Sequence, residues 1–348
     1  MSGRPKINSD TQGVLKHVVE QAVGQNVPQI SVRPPLTFQS NRLYDVWVNG
    51  RHLIAKEFLK LEEEPDAPAR EFRALQLLEP LDIAPRPVFY DSEIGPIVVY
   101  EFMDGEMWDR KRPLPHELAQ LAQLWTNMHA ISTEELWLAR DQYMLLTALE
   151  SRFRDSFERY AEWTAVAFPS GQHAAAHCFD LLAQVRMAAQ ELTEYPSIRS
   201  FCRLDNRFAN VIRRPDGRLG LVDWEDSGLH DPARDLADLI THVNQEDLLE
   251  MDDWQTFLAP YLATRTPFDP TIQERFHVHL AILPVIWLAS LLDYGVRKAN
   301  AQDITDWQIN GLPANERLRR YLARALAWPD VAFHHQLAAF ARIEFFPS

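Results

Sequence analysis

Two short stretches decide the fold, and they read Cys202-Arg-Leu-Asp-Asn-Arg-Phe-Ala-Asn-Val-Ile212 and Gly220-Leu-Val-Asp-Trp-Glu-Asp226. Asp205 and Asn210 are five residues apart, and Asp223 follows 13 residues later, directly after an apolar pair. Phosphoryl transfer from a nucleotide needs one carboxylate at the attacking hydroxyl, and an amide oxygen and a second carboxylate that hold Mg²⁺. Asp and Asn are also common turn formers. Because Asp223 comes at the end of a predicted strand, we favour a phosphoryl-transfer site over a simple turn.

A lysine upstream lies in an apolar strand. Lys56 is part of Leu53-Ile-Ala-Lys-Glu-Phe58, which follows the hairpin turn Asn49-Gly50. A buried lysine is costly unless its ammonium is paired, and Glu71 on the next predicted helix is the natural partner. A strand lysine paired with a helix glutamate is the arrangement that protein kinases use on nucleotide phosphates. The alternative is an edge-strand lysine whose ammonium reaches solvent.

The element pattern changes along the chain. The N-terminal part predicts a helix within residues 1–27, strands at 30–38, 42–48, 51–59, 85–90 and 97–102, a loop at 62–68 and a helix at 69–78. After Gly105 the pattern predicts helices at 115–131, 141–167, 172–194, 233–243, 246–263, 271–298 and 315–345. Residues 200–223 interrupt these helices with short β-like pieces. We therefore predict an α+β fold with a small, antiparallel β-rich N-lobe (1–103), a hinge near 101–106 and a larger α-helical C-lobe (104–348).

Four further motifs resemble the aminoglycoside phosphotransferase-like family. They are Gln39-Ser-Asn-Arg-Leu-Tyr-Asp-Val46, Val98-Val-Tyr-Glu-Phe-Met-Asp-Gly-Glu106, Leu124-Trp-Thr-Asn-Met-His-Ala-Ile-Ser132, and Val222-Asp-Trp-Glu225 followed by Gly228-Leu-His-Asp-Pro-Ala-Arg-Asp-Leu-Ala237. The resemblance covers about residues 30–300. This family shares the bilobal protein-kinase-like fold with choline kinases, so the resemblance implies that fold and a small-molecule kinase.

The resemblance also implies roles for the residues in the central motifs. Asp205 would be the catalytic base, and Asn210 and Asp223 would hold Mg²⁺. Arg207 occupies a position that varies in the family, two residues after the base. The resemblance assigns it no role, but a cation there would stabilise charge on the transferring phosphoryl group; a surface arginine is the equal alternative. Asp235 would be structural, either capping the next helix or tying down the catalytic loop.

On the nucleotide side, the resemblance implies that Lys56 binds the α- and β-phosphates of ATP or GTP. Glu71 would orient this lysine. The backbone at Glu101 and Met103 would hold the nucleobase, and Ser40 and Asn41 would lie over the phosphates. Trp108, just past the hinge, is the tryptophan that we expect to contact the cleft.

The sequence departs from the family pattern in two places. Arg203 stands where the family has a histidine, two residues before the base, and we expect it to lie close to Asp205 and Asp223 and to lower their basicity. Residues 37–39 read Thr-Phe-Gln where the family commonly has glycines, and the whole chain has only 12 glycines. This composition excludes a glycine-rich phosphate loop.

Composition excludes several other classes of protein. A net charge of −14 argues against a nucleic-acid or membrane-surface partner. The two cysteines cannot build a disulfide framework or a four-cysteine zinc site. The N-terminus has no signal-like apolar segment, and the most apolar run, residues 280–292, is too short to span a bilayer. We expect a cytoplasmic monomer or homodimer.

Three functional hypotheses follow. The leading one is a kinase that phosphorylates a hydroxyl of a small-molecule acceptor, and the acidic balance hints at an amine-bearing acceptor. The alternative is a catalytically inert pseudokinase that senses nucleotide or binds protein, which Arg203 and the glycine-poor loop motivate. A third reading is a helical scaffold with a β appendage, in which Lys56 and Asp223 serve stability alone.

Overall fold

The computed structural model describes most of the two regions that the sequence predicts. The described residues are 9–24, 29–32, 41–62, 64–108, 112–140, 198–242, 251–299, 308–309 and 312–313, with the single residues 155, 158, 192 and 195. The predicted helices at 141–167, 172–194 and 315–345 lie outside these residues, apart from four isolated positions. Ser40 and the 37–39 segment also lie outside them.

The N-terminal part is an antiparallel sheet with one helix on each face. Its elements are α1 (Ser9–Val23), β1 (Gln29–Val32), β2 (Asn41–Val48), β3 (Arg51–Phe58), α2 (Ala67–Leu78), β4 (Pro87–Phe89) and β5 (Ile97–Glu101). The strand order is β1-β2-β3-β5-β4. Asn49 and Gly50 join β2 to β3 with φ of 49° and 75°, as a two-residue hairpin turn requires.

Alternation along β3 decides which way Lys56 points. Leu53 and Ala55 pack with α1, whereas Ile54 and Phe58 belong to the core on the other face. Successive side chains of a strand point to opposite faces, so Lys56 lies on the same face as Ile54 and Phe58, the side where α2 packs. Helix α2 begins two residues before the predicted start because Pro68 fits its first turn.

The C-terminal part is mainly helical. Its elements are β6 (Glu106–Met107), α3 (Pro115–His129), β7 (Ser200–Cys202), β8 (Val211–Arg213), β9 (Leu219–Leu221), β10 (Gly228–His230), α4 (Pro232–Thr241), α5 (Met251–Arg265), α6 (Ile272–Ala299), β11 (Gln308–Ile309) and β12 (Leu312–Pro313). Strands β6, β8 and β9 form one small sheet, and β7 pairs with β10.

Helix α4 lies at the centre of this region. All ten of its residues are buried. It packs against α6, while α3 packs against α5. Because α4 is enclosed from end to end, its side chains that point toward the loop of residues 203–207 have fixed positions.

The described helices agree closely with the sequence-based expectation. The prediction for α4 was 233–243, and the prediction for α6 was 271–298; each differs from the structure by one or two residues at its ends. Among the described residues, no helix is both long and apolar enough to cross a membrane.

Candidate active site

A buried ion cluster joins the N-terminal sheet to the loop after β9. Lys56 pairs with Glu71 on α2, and both side chains are almost completely buried. The Lys56 ammonium also lies 2.6 Å from Asp223 Oδ1 and 2.9 Å from Glu225 Oε2. The predicted Lys56–Glu71 pair is therefore formed, and it contacts the residue predicted to hold the metal.

The charge of Lys56 is stabilised by its neighbours. Burial alone would lower its pKa, but Asp223, Glu225 and Glu71 more than offset this, so the pKa is raised well above its ordinary value. Lys56 thus remains a cation deep in the cleft, where it can bind phosphate oxygens.

The loops that carry the predicted base and metal ligand are conformationally strained. Leu204, Asp205 and Asp223 have φ of 55°, 48° and 71°, in the left-handed region that non-glycine residues seldom adopt. Such conformations persist only where surrounding contacts enforce them, and they cluster at functional sites. The strain lies at both carboxylates to which the sequence assigns chemistry.

Both oxygens of the Asp205 carboxylate have a hydrogen-bond donor. Arg207 Nη2 lies 2.5 Å from Oδ2, and His242 Nε2 lies 3.1 Å from Oδ1. Burial by itself raises the pKa of Asp205, but Arg207, His242 and Arg203 lower it well below its usual range. The carboxylate is therefore ionised at neutral pH and accepts hydrogen bonds.

Arg207 bridges the two carboxylates of the proposed chemistry. The same guanidinium nitrogen is 3.3 Å from Asp223 Oδ2, so the arginine lies inside the cleft. This excludes the reading of Arg207 as an arginine of the open surface.

Helix α4 holds the backbone of residues 203–207, the loop that carries the predicted base and that we call the catalytic loop. Asp235 Oδ1 accepts a hydrogen bond from the Leu204 amide at 2.7 Å, and Asp238 Oδ2 accepts one from the Asn206 amide at 2.8 Å. The cap of α4 is Asp231, whose side chain accepts from the Ala233 amide. Of the two roles predicted for Asp235, the structure thus supports tying down the loop.

Arg203 acts as a brace between the two loops. Its guanidinium donates to the carbonyl oxygens of Asp205 at 3.0 Å, Val222 at 2.6 Å and Asp223 at 3.1 Å. The sequence predicted proximity to Asp205 and Asp223, which is correct. The contacts, however, are with backbone carbonyls, so Arg203 fixes the two loops relative to each other.

Asn210 and Asp223 offer the oxygen ligands that Mg²⁺ prefers. Asn210 Nδ2 lies 3.2 Å from Asp223 Oδ2, so the two side chains are in contact. Carboxylate oxygens of Glu71, Asp223 and Glu225 also lie within 4.8 Å of one another. These three carboxylates all contact the Lys56 ammonium, so the fit to a hard divalent cation rests on the amide oxygen of Asn210 and the carboxylate of Asp223.

The nucleotide side of the site is described in part. The Glu101 amide donates to the Arg86 carbonyl at 2.9 Å. Met103 packs on β9 at Gly220, where a Cβ would lie 2.2 Å from the Met103 sulfur. Asn41 Nδ2 reaches across the cleft to Glu225 Oε2 at 2.5 Å. Met103 thus lies against β9, the strand that leads to Asp223.

The expectation for Trp108 is wrong. Its side chain is fully buried and stacks on Phe208 at 4.9 Å between ring centroids. Its amide donates to the Val211 carbonyl, and this pairing beside β8 turns the ring into the core. His129 is buried and contacts Asp235 and Tyr261.

Two residues of the site were not assigned a role from sequence. Glu225 is a third carboxylate on Lys56. His242 was not considered, although one signal was available: it follows Asp235 and Asp238 at the spacing of a single helix face.

Comparisons with known proteins place this chain in a family. The sequence profile of the phosphotransferase enzyme family, APH, matches residues 31–273. No curated protein sequence gives a significant match.

Solved structures share the fold. Choline kinase LicA from Streptococcus pneumoniae is 21% identical, with 91% of this chain and 100% of that chain covered and a TM-score of 0.62. A choline/ethanolamine kinase family protein from Mesorhizobium loti is 17% identical, with 95% and 98% covered and a TM-score of 0.63. A spectinomycin phosphotransferase, solved with ADP and spectinomycin, is 13% identical, with 93% and 99% covered and a TM-score of 0.63.

The fold is the kinase-like α+β fold that the sequence predicted. The chain belongs to the APH phosphotransferase enzyme family, since the profile spans well over half of its length. The family defines the class of reaction, which is phosphoryl transfer.

Proposed function

We propose that this protein transfers the γ-phosphoryl group of ATP or GTP to a hydroxyl of a small-molecule acceptor. One observation carries the proposal. Lys56, paired with Glu71, lies 2.6 Å from Asp223, and Arg207 links Asp223 to Asp205. The phosphate-binding, metal-binding and proton-accepting groups that phosphoryl transfer needs thus form one continuous network.

Each side chain has a defined task in this proposal. Asp205 Oδ2 accepts and orients the proton of the attacking hydroxyl. Lys56 binds the α- and β-phosphates, while Arg207 moves from the carboxylates to the developing charge on the transferring group. Asn210 and Asp223 would hold Mg²⁺, which when bound neutralises phosphate charge.

The nucleotide would lie between the two parts of the protein. The backbone at Glu101 and Met103 would hold the nucleobase, and Ser40 and Asn41 would cover the phosphates. We place the boundary between an N-lobe of residues 1–103 and a C-lobe of residues 104–348 at this hinge. We also propose a cytoplasmic monomer or homodimer.

A panel of acceptors tests the proposal. The panel contains choline and ethanolamine, because kinases with this fold are named for them. It also contains spectinomycin and gentamicin, which are bound in structures of antibiotic phosphotransferases, and simple amino sugars. Purified protein, Mg²⁺ and γ-labelled ATP or GTP should label at least one hydroxyl-bearing acceptor. Labelling of none of them, with either nucleotide, would count against the proposal.

The inert pseudokinase is the second candidate. The observation that favours it is Arg207, which pairs with both Asp205 and Asp223. A nucleotide-binding module would show a Mg·ATP or Mg·GTP thermal shift without label transfer. A kinase shows both.

A further inference from the structure

One face of helix α4 contacts three consecutive residues of the catalytic loop. Asp235 and Asp238 accept hydrogen bonds from the backbone amides of Leu204 and Asn206. His242 follows Asp238 by four residues, directly after the end of α4, and it contacts the side chain of Asp205, the residue between those two. The spacing of 235, 238 and 242 places all three on one helix face.

The His242 ring is held in place. The residue is 1% exposed, and its ring packs edge-on against Trp287 of α6, with 4.4 Å between ring centroids. Its Nε2 lies 3.1 Å from Asp205 Oδ1. An ionised carboxylate can only accept a hydrogen bond, so Nε2 carries the proton and donates it.

The two donors to Asp205 differ in how they are fixed. Arg207 donates to Oδ2 and is shared with Asp223, so it can leave for a phosphate. His242 donates to Oδ1 from an enclosed position between α4 and α6. When Arg207 leaves, His242 therefore remains on Asp205 and keeps Oδ2 directed toward the acceptor.

We propose that His242 is a positioning residue that sets the orientation of the Asp205 carboxylate for the acceptor hydroxyl. This inference rests on the proposed function. A hydrogen bond to a charged group contributes to catalysis when it fixes the geometry of the reacting group. His242 itself does not touch the acceptor in this account.

The test compares two substitutions that differ only in the donor. His242→Leu removes the hydrogen bond, and His242→Gln keeps an N–H at a similar position. We expect kcat to fall about 10- to 100-fold in His242→Leu and to stay within about threefold of wild type in His242→Gln. The KM for Mg·nucleotide should not change in either variant, because Lys56 and the metal ligands are untouched.

A matched control separates positioning from stability. His279 is equally buried, and its Nε2 lies 3.4 Å from Asp231, which caps α4 but carries no chemistry. His279→Leu should lower the melting temperature and leave kcat unchanged in the protein that remains folded.

A double-mutant cycle gives the decisive readout. If His242 acts through Asp205, adding His242→Leu to the Asp205→Asn variant should lower kcat by no more than about twofold. An equal loss in both backgrounds, or a normal kcat in His242→Leu, would overturn the inference while the proposed function stands. Absence of transfer by the wild-type protein, or full activity of Asp205→Asn, would overturn the proposed function and this inference together.

Discussion

Two buried ion clusters at opposite ends of α4 have similar chemistry and different surroundings. The cleft cluster consists of Lys56, Glu71, Asp205, Arg207, Asp223 and Glu225. The enclosed cluster consists of Asp231, Asp269, Arg275 and His279. In the enclosed cluster the Arg275 guanidinium lies 2.9 Å from Asp231 and 2.8 Å from Asp269. Both clusters pair aspartates with an arginine, and in both a histidine contacts an aspartate: His242 contacts Asp205 from outside the cleft cluster, and His279 contacts Asp231 within the enclosed one.

Exposure and backbone strain distinguish the two clusters. The side chains of Arg275 and Asp269 are each 1% exposed, whereas those of Asp205, Asp223 and Arg207 are 25%, 24% and 33% exposed. The cleft cluster contains two left-handed aspartates, and the enclosed one contains none among the described residues. Burial and pairing are thus common to both clusters, while solvent access and backbone strain distinguish the cluster for which we propose a chemical function.

The largest effect on activity should come from Asp223→Ala. This substitution removes a proposed metal ligand and a partner of both Lys56 and Arg207, so we expect kcat to fall about 1000-fold or more. Steady-state kinetics with the acceptor found in the panel measure it. If the kcat of Asp223→Ala stayed within tenfold of the wild-type value, the cleft cluster could no longer be distinguished from the enclosed cluster by a role in activity.

The enclosed cluster should respond in the opposite way. Arg275→Met leaves Asp231 and Asp269 buried without their cation, and we expect a loss of about 3 kcal/mol in the free energy of unfolding. Urea unfolding measures this loss. The kcat of the folded variant should equal that of wild type, and a selective loss of kcat at unchanged stability would contradict the structural role.

Lys56→Met should weaken nucleotide use without abolishing folding. The loss of the phosphate-binding cation should reduce kcat/KM for ATP about 100-fold. Lys56→Arg serves as the charge-preserving control and should recover part of the activity. Equal nucleotide kinetics in Lys56→Met and wild type would show that the lysine serves stability alone.

The smallest effect concerns acid stability of the enclosed cluster. Burial raises the pKa of Asp231, but His279 and Arg275 offset this and hold the pKa below its usual value. Its stabilising contribution is therefore complete above about pH 4 and is lost as pH falls toward the folded-state pKa. Unfolding free energies between pH 5 and 2 should fall less steeply, by about 1 kcal/mol over this range, in Arg275→Met than in wild type. Equal slopes would contradict this assignment.

The sequence predicted what depends on local pattern. The apolar strand around Lys56 and the helix that follows it predicted the pair of Lys56 with Glu71, and the strand before Asp223 predicted a carboxylate at the cleft. Helix and strand bounds followed from periodicity to within a few residues. The roles of Asp205, Asn210 and Asp223 in catalysis remain predictions that the experiments above address.

The features that the sequence did not predict depend on tertiary packing. The spacing of Asp235, Asp238 and His242 indicates a shared helix face, but the contact between His242 and Asp205 also requires that face of α4 to pack against the loop that carries Asp205. The spacing does not encode that packing. Trp108 was misplaced because its nearness to the hinge in sequence does not reveal which way its ring points. The carbonyl contacts of Arg203 likewise depend on how two loops approach each other.

The central claim is that Asp205 receives the acceptor proton in a phosphoryl-transfer centre. Single-turnover transfer from Mg·ATP or Mg·GTP, whichever nucleotide the panel supports, tests it most directly by comparing wild type with Asp205→Asn, a variant that keeps the shape of the side chain. We predict that the transfer rate constant falls about 1000-fold while Mg·nucleotide still raises the melting temperature as in wild type. Transfer at the wild-type rate by Asp205→Asn would contradict the account.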